Sequence, residues 1–236
     1  MFHTFFYEPI YNLLVFVLTI VPLHDVGVAI ILVTCIVRGI ILPLNLSATK
    51  SQYAIKKVED EINKIREKHK DNPQEMSKNM MAIYKREGIN PFASFFVILI
   101  QLPIIIALYF VFKDGIQIDE ESLYSFLSFP QTLHTHAFGI LDVTSKSVAI
   151  ALTTGVSAYV LARRQTSTMV SKKQPHEESF QDHFMKSMKI QLLYVLPVII
   201  GFSAAILPAA VGLYWTTSNI VSYFQDVYIK KKYNFT

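Results

Sequence analysis

Long apolar runs constrain the fold of this 236-residue chain more than any other feature of it. A membrane-spanning helix needs about 20 mostly apolar residues to cross roughly 30 Å of hydrocarbon. Composition agrees, because 52% of the residues are hydrophobic and only 17% are charged, which favours the membrane class over a soluble domain. We predict an all-α integral membrane domain with five spans, at residues 25–46, 91–112, 146–162, 190–207 and 211–229.

The apolar stretch 10–23, which precedes the first span, is too short to cross a bilayer on its own. We predict a helix over residues 3–22 that lies in the membrane interface, with Tyr7, Glu8 and Tyr11 toward the headgroups. A buried or tilted membrane helix is the alternative. No Lys or Arg occurs in residues 1–9 and no small-residue cleavage site follows the apolar stretch, so a cleavable signal peptide is not expected.

The distribution of Lys and Arg predicts the orientation. Segment 47–89 holds ten of these residues, 163–189 holds six and 230–232 holds three, whereas 113–146 holds two. Basic residues favour the cytoplasmic side of a membrane. We therefore expect 47–89 and 163–189 to be cytoplasmic and 113–145 to be an external loop. The N-terminus is then outside and the C-terminus inside, in a multi-pass protein of a bacterial plasma membrane.

Segment 47–89 shows helical periodicity despite its charge. Apolar residues recur at positions 54, 58, 62 and 65, and again at 76, 80, 83 and 84. The break at Lys70 to Pro73 and the terminating Gly88 predict a helical hairpin. Its apolar faces are narrow, so we expect it to be mobile. A merely solvated charged loop is the alternative.

Arg38 lies about two thirds of the way along the first predicted span. Arg at such a depth costs at least a few kcal/mol and usually faces a cavity or a partner, although snorkelling to the headgroups is the alternative. No acidic residue lies inside a predicted span to neutralise it. We therefore expect a water-filled groove around Arg38. The other polar residues of the spans could line this groove: Thr34, Gln101, Thr154, Ser157, Trp215, Ser218 and Asn219. Each of them alone is more often a contact between helices.

No catalytic pattern is found in the sequence. Nucleotide-binding, GxSxG and HExxH motifs are absent, and the pair His134 and His136 is weak evidence for a metal. Cys35 is the one cysteine, so no disulfide can form within the chain. The net charge of +4 reflects basic loops rather than a nucleic-acid site. We expect a non-enzyme without cofactor or metal.

Four stretches of the sequence resemble the YidC-type membrane protein insertase family, which includes the mitochondrial oxidase-assembly and thylakoid insertases. They are PIYNLLVF at 9–16, HDVGVAIILVTCIVRGIILPL at 24–44, INPFASFFVILIQLPIIIALYFVF at 89–112 and LPAAVGLYWTTSNIVSYFQ at 207–225. The resemblance implies an external interfacial helix, five spans and a cytoplasmic hairpin between the first two. It also implies that Arg38 is the arginine of a groove that opens to cytoplasm and lipid and is closed outside.

The resemblance further implies a function as insertase and chaperone, without nucleotide. A short hydrophilic end of a client crosses the membrane while its apolar helix slides into lipid. The implied partners are nascent membrane proteins and the lipid bilayer, with the Sec translocon and the ribosome as further candidates. We expect a functional monomer that recognises no nucleic acid directly. A small transporter or channel is the alternative, but it would usually show internal repeats, and none is found here.

Overall fold

A computed structural model of the chain describes residues 1–90, 92–112, 117–166 and 187–233. Within these ranges the chain is predominantly helical, as the sequence predicts. Eight α-helices occur there: α1 Glu8–Ile20, α2 Val26–Lys57, α3 Glu59–Lys68, α4 Pro73–Arg86, α5 Ala93–Phe112, α6 Val148–Thr166, α7 Leu196–Ile206 and α8 Ala209–Lys232. Short π-helical segments, His3–Tyr7 and Gln191–Val195, precede α1 and α7, and a 3₁₀ turn, Pro22–His24, precedes α2. Strands β1 His136–Ala137 and β2 Leu141–Asp142 form a small antiparallel sheet, which the sequence analysis did not predict.

Two helical stretches of the described ranges are long and apolar enough to cross a membrane. They are Val26–Lys57, which is α2, and Ser187–Ile206, which includes the second π-helical segment and α7. Leu99–Phe112, which lies within α5, is a shorter apolar stretch. Helix α6 has 19 residues and α8 has 24. The number of spans and the side of each loop stay predictions, and most of the predicted loop 163–189 lies outside the described residues.

Helix α2 continues beyond residue 46, where the predicted span ends, as far as Lys57. The apolar run ends earlier than the helix because hydropathy reports transfer into lipid, whereas residues such as Ala48 and Lys50 support a helix in water equally well. At its start, Asp25 caps α2 by accepting a hydrogen bond from the Val28 N–H at 3.0 Å. The same carboxylate accepts from the Phe138 N–H at 2.8 Å. The loop that carries the small sheet is therefore fixed to the first turn of α2.

Helix α1 is covered by the segment that follows α5. Tyr11 is 1% exposed, so the prediction that it faces the headgroups is wrong. Its hydroxyl donates to the Gln117 carbonyl at 3.2 Å and accepts from the Asp119 N–H at 2.9 Å. Asn12 is also buried, and its side chain bonds the Ser122 carbonyl and the Tyr124 N–H, each at 2.7 Å. Segment 117–124, more than a hundred positions away in the sequence, thus shields this face of α1.

Helices α3 and α4 pack on one another after the end of α2. Four buried apolar side chains make this contact: Val58, Ile62, Ile83 and Ile89. Asn72 caps α4 by accepting from the Glu75 N–H at 3.2 Å, and Gly88 has a left-handed φ of 64° after the helix ends. Arg86 pairs with Glu61 across the two helices at 2.6 Å. The position of the hairpin of α3 and α4 relative to the membrane, and the mobility of this hairpin, stay predictions.

Helix α8 is in contact with α2, α5, α6 and α7. Its N-terminus follows Pro208, which offers no side-chain cap. Instead, the Ala209 and Ala210 N–H groups donate to the Ser145 and Val143 carbonyls, both at 2.8 Å. Gly212 allows α8 to approach α6 closely, because a Cβ there would lie 2.4 Å from the side chain of Ile150. These contacts place the polar residues of α8 between the other helices.

Candidate functional site

The polar residues of α8 point in two directions, as the helical repeat requires. Tyr214, Ser218 and Gln225 face α5 and α2, and we call their contacts the α2 seam. A second set of α8 residues faces α6, and we call its contacts the α6 seam: Gly212, Thr216, Asn219 and Asp226. Six of the eight candidates named from the sequence divide between these two seams, and Thr34 and Trp215 belong to neither.

Arg38 and Ser218 form the central contact of the α2 seam. Arg38 Nε donates to Ser218 Oγ at 2.6 Å, and Nη2 donates to the same oxygen. Ser218 is 2% exposed. Among the residues that the structure describes, no carboxylate pairs with Arg38. A guanidinium has five N–H donors, and within the same ranges the other three have no acceptor in the protein.

Gln225 connects the same two helices seven residues, or two helical turns, further along α8. Its Nε2 donates to the Arg38 backbone carbonyl at 3.2 Å, and its Oε1 accepts from Asn45 Nδ2 at 3.3 Å. Pro43 interrupts the hydrogen-bond ladder of α2 in this region. Asn45 and Gln225 were not among the sequence candidates. The spacing of Gln225 from Ser218 is the signal that could have identified it.

Gln101 joins the α2 seam from α5. Its Nε2 donates to the Tyr214 hydroxyl at 2.7 Å. Tyr214 is buried and lies one helical turn before Ser218, so α5 is linked to α8 next to the Arg38 contact. Trp215 is partly buried and packs against the main apolar core, which is formed largely by buried residues of α1, α2 and α5.

The α6 seam holds three of the predicted site residues. Thr154 is fully buried, and its hydroxyl contacts the Thr216 hydroxyl at 2.9 Å and the Gly212 carbonyl at 3.0 Å. Asn219 donates to the Ser157 hydroxyl at 3.1 Å. These bonds are the kind that join neighbouring helices in a membrane. Thr154, Ser157 and Asn219 therefore make contacts between helices in the structure.

An ion-pair cluster closes one end of the α6 seam. Asp226 accepts from Arg164 Nε at 2.5 Å and pairs with Lys230 at 3.0 Å. Thr34, by contrast, joins neither seam, because it is buried and its hydroxyl donates to the Ile30 carbonyl of its own helix at 2.6 Å. The structure thus brings Arg38 and Ser218 together with Gln101 nearby, and it places the remaining candidates elsewhere. A role in client binding stays a prediction for all of them.

A second polar cluster lies between the start of the chain and segment 117–124. The Tyr7 hydroxyl donates to Asp119 at 3.2 Å, and the Ser122 hydroxyl donates to the same carboxylate at 2.7 Å. Burial, followed by the charge of Asp119, raises the pKa of Tyr7 from its ordinary value of 10.0 to about 12. For Asp119, burial favours a higher pKa, but the hydrogen bonds from Ser122 and Tyr7 outweigh it and lower the pKa. The cluster therefore requires a neutral Tyr7 beside a charged Asp119.

Taken together, the apolar helices and the polar seams define a helical protein with the character of a membrane protein. The model of the family described as 60Kd inner membrane protein matches residues 17–235. A membrane protein insertase YidC of Clostridium tetani is 32% identical over 211 residues, which cover 89% of this chain and 84% of the relative. The chain therefore belongs to the YidC family of membrane protein insertases.

Other relatives of the same name differ in length. The YidC of Oceanobacillus iheyensis is 30% identical over 87% of this chain and 74% of its own length. The YidC of Shewanella woodyi is 30% identical over 94% of this chain, but the match covers only 36% of that relative. The similarity to the longer relatives is thus confined to a part of each that corresponds to nearly all of this chain.

Proposed function

We propose that this protein is an insertase and chaperone of a bacterial plasma membrane, which moves client helices into the bilayer along a hydrophilic groove beside Arg38. The proposal includes five spans, an external N-terminus and a cytoplasmic C-terminus. Membership in the YidC family supports the insertase activity. The asymmetry of Lys and Arg between the loops supports the orientation.

The contact of Arg38 with a neutral hydroxyl is the observation that carries the groove mechanism. A permanently charged group in an apolar helix is costly unless a countercharge or water compensates it. Ser218 supplies an acceptor but no negative charge. An acidic segment of a client can supply that charge, and the attraction between the two is stronger in a region of low dielectric than at the protein surface.

The mechanism follows from the uncompensated positive charge of Arg38. Water reaches Arg38 from the cytoplasmic side, and an acidic client tail enters the groove because the guanidinium attracts it. The apolar helix of the client then leaves sideways into lipid, which removes its apolar surface from water. The tail must be released on the far side, so its attraction to Arg38 has to remain moderate. Burial of the apolar helix drives the reaction, and no nucleotide is required.

Reconstitution tests this function. Purified protein in liposomes should insert a single-span client with an acidic N-terminal tail, so that the tail becomes protected from added protease. Empty liposomes and liposomes that contain an unrelated membrane protein serve as controls. A transporter or channel would instead pass small solutes and leave the client unprotected, and that result would refute the proposal.

A further inference from the structure

One edge of the Arg38 guanidinium is already occupied within the protein. Nε and Nη2 lie on the same edge of the planar group, and both donate to Ser218 Oγ. A carboxylate that binds Arg through two parallel hydrogen bonds uses an edge of this kind. An acidic client group that approaches this edge therefore meets a ligand that is already in place.

We propose that Ser218 is an internal competitor for Arg38, which weakens the binding of acidic client tails and speeds their release. The inference rests on the proposed insertase function and adds a residue that tunes it. Ser218 acts through Arg38, so it is a positioning and specificity residue.

The surroundings of Ser218 hold this competitor in place. Its side chain is 2% exposed, and the helix that carries it is bonded to α5 through Tyr214 and to α2 through Gln225. The hydroxyl is therefore already beside the guanidinium before a client binds. It needs no ordering of its own, whereas a client tail loses conformational freedom when it binds.

The relative strength of the two ligands sets the outcome. The bond from Arg38 to Ser218 already has one charged partner, whereas a bond from Arg38 to a carboxylate has two and adds the Coulomb attraction between them. A carboxylate can therefore displace the hydroxyl, but its gain is only the difference between the two contacts. A tail that carries amides instead of carboxylates has little to gain from this exchange. Unless it displaces the hydroxyl, an acidic tail is left with the three other N–H donors of Arg38. Ser218 thus lowers the affinity for acidic tails and leaves that for neutral tails nearly unchanged.

Binding measurements on the full chain in lipid nanodiscs test this inference. The probe is a fluorescent single-span peptide whose tail contains Asp residues, and a matched peptide has Asn at the same positions. Ser218→Ala should bind the Asp peptide about tenfold more tightly, with slower dissociation, because the lost competitor is a hydrogen bond to a charged group. The affinity for the Asn peptide should stay unchanged.

Ser222→Ala is the matched control. Ser222 lies one turn further along α8, and its buried hydroxyl has no hydrogen-bond partner among the described residues. This variant loses a hydroxyl without freeing Arg38, so its affinity for both peptides should equal that of the wild type. Thermal unfolding of both variants reports any general loss of helix packing.

A second substitution covers the case in which Ser218→Ala folds poorly. Ser218→Asp places a carboxylate against Arg38 and should abolish the preference for the Asp peptide over the Asn peptide. If folded Ser218→Ala binds the Asp peptide no more tightly than the wild type does, the inference is wrong and Ser218 only packs the helices. If Arg38→Ala leaves wild-type affinity for the Asp peptide unchanged, the electrostatic part of the proposed function fails instead.

Discussion

The side-chain amide of Gln225 donates a hydrogen bond to the backbone carbonyl of Arg38 at 3.2 Å, across the contact between α8 and α2. The same amide accepts from Asn45. The Gln225 side chain thus bonds the main chain of Arg38, while Ser218 bonds its guanidinium. The position of the charge is therefore fixed from both ends of the residue by α8.

Gln225→Ala removes both hydrogen bonds of this link. We expect the protein to lose about 1–2 kcal/mol of stability, the range for hydrogen bonds between membrane helices, and to insert acidic-tailed clients more slowly. Thermal unfolding in detergent and the reconstituted insertion assay measure these two effects. Gln191→Ala, at an exposed position in the segment before α7, should change neither. Full activity of Gln225→Ala would show that Arg38 needs no support from α8.

Arg38→Ala should nearly abolish insertion of clients with acidic translocated tails, because the charge that attracts them is lost. Arg38→Lys should retain much of the activity, since a point charge suffices for attraction without two parallel hydrogen bonds. Clients with uncharged tails should depend on Arg38 less. The assay is protease protection of both client types in liposomes. Insertion of acidic-tailed clients by Arg38→Ala at the normal rate would mean that Arg38 snorkels or is structural.

The proposed orientation predicts the labelling of two exposed positions. In a Cys35→Ala background, Asp60→Cys should react with a membrane-impermeant thiol reagent only from the cytoplasmic side, and Glu120→Cys only from outside. The reason is the excess of Lys and Arg in segment 47–89 over segment 113–146. Intact cells and inverted vesicles distinguish the two sides. Labelling of position 60 in intact cells would contradict the orientation.

Asn12→Ala should loosen the segment that covers α1. The substitution leaves the buried Ser122 carbonyl and the part-buried Tyr124 N–H without their partner, and a buried unsatisfied group costs about 1–3 kcal/mol. Hydrogen exchange of residues 117–124 should become faster, while that of α8 should not change. Thr19→Ala is the control, because among the described residues the exposed Thr19 hydroxyl bonds only the Phe16 carbonyl of its own helix. Unchanged exchange in Asn12→Ala would show that other contacts hold the segment.

High pH should weaken the contact between Tyr7 and Asp119. The pKa of Tyr7 rises from 10.0 to about 12 in the folded protein. The contact between the neutral Tyr7 hydroxyl and Asp119 therefore stabilises the fold fully below pH 10. It is lost as the pH rises through about 12, because the phenolate repels Asp119. The protection factors of residues 117–124, which are corrected for the base-catalysed rise in intrinsic exchange, should fall over this range as the phenolate of Tyr7 forms.

Two variants test the origin of this dependence. Asp119→Asn removes the neighbouring charge and should bring the pKa of Tyr7 back toward 10. Tyr7→Phe should remove the alkaline transition in exchange, although the segment will be less protected at neutral pH. Ionisation of Tyr7 near pH 10 in the wild type, with the segment still protected, would contradict the assignment.

Sequence patterns predicted the helical class. They also identified Arg38 and Ser218 as candidate site residues, because a polar residue stands out within an apolar run, and the structure places these two in contact. The patterns could not show which helices are neighbours. Thr154 and Asn219 were therefore grouped with Arg38, although both join α6 to α8. Gln225 was overlooked because it lies near the charged end of its run, where a polar residue is unremarkable.

Contacts between distant segments account for the other differences. Tyr11 is amphipathic and suits a headgroup region, but segment 117–124 buries it. Local periodicity carries no information about a loop so far along the chain. Helix α2 is longer than the predicted span 25–46 for a different reason, since hydropathy marks the end of the apolar run and not the end of the helix.

The N–H groups in the first turn of α8 donate hydrogen bonds to main-chain carbonyls of residues 143 and 145, and not to a side chain. Every amino acid has such a carbonyl, so the identity of the exposed residues in this stretch matters little to the cap. The spacing between β2 and α6, however, decides whether the carbonyls reach the helix. Over evolutionary time, substitutions at Thr144 and Ser145 should accumulate freely in relatives that share this cap, whereas insertions and deletions between residues 143 and 147 should be rare.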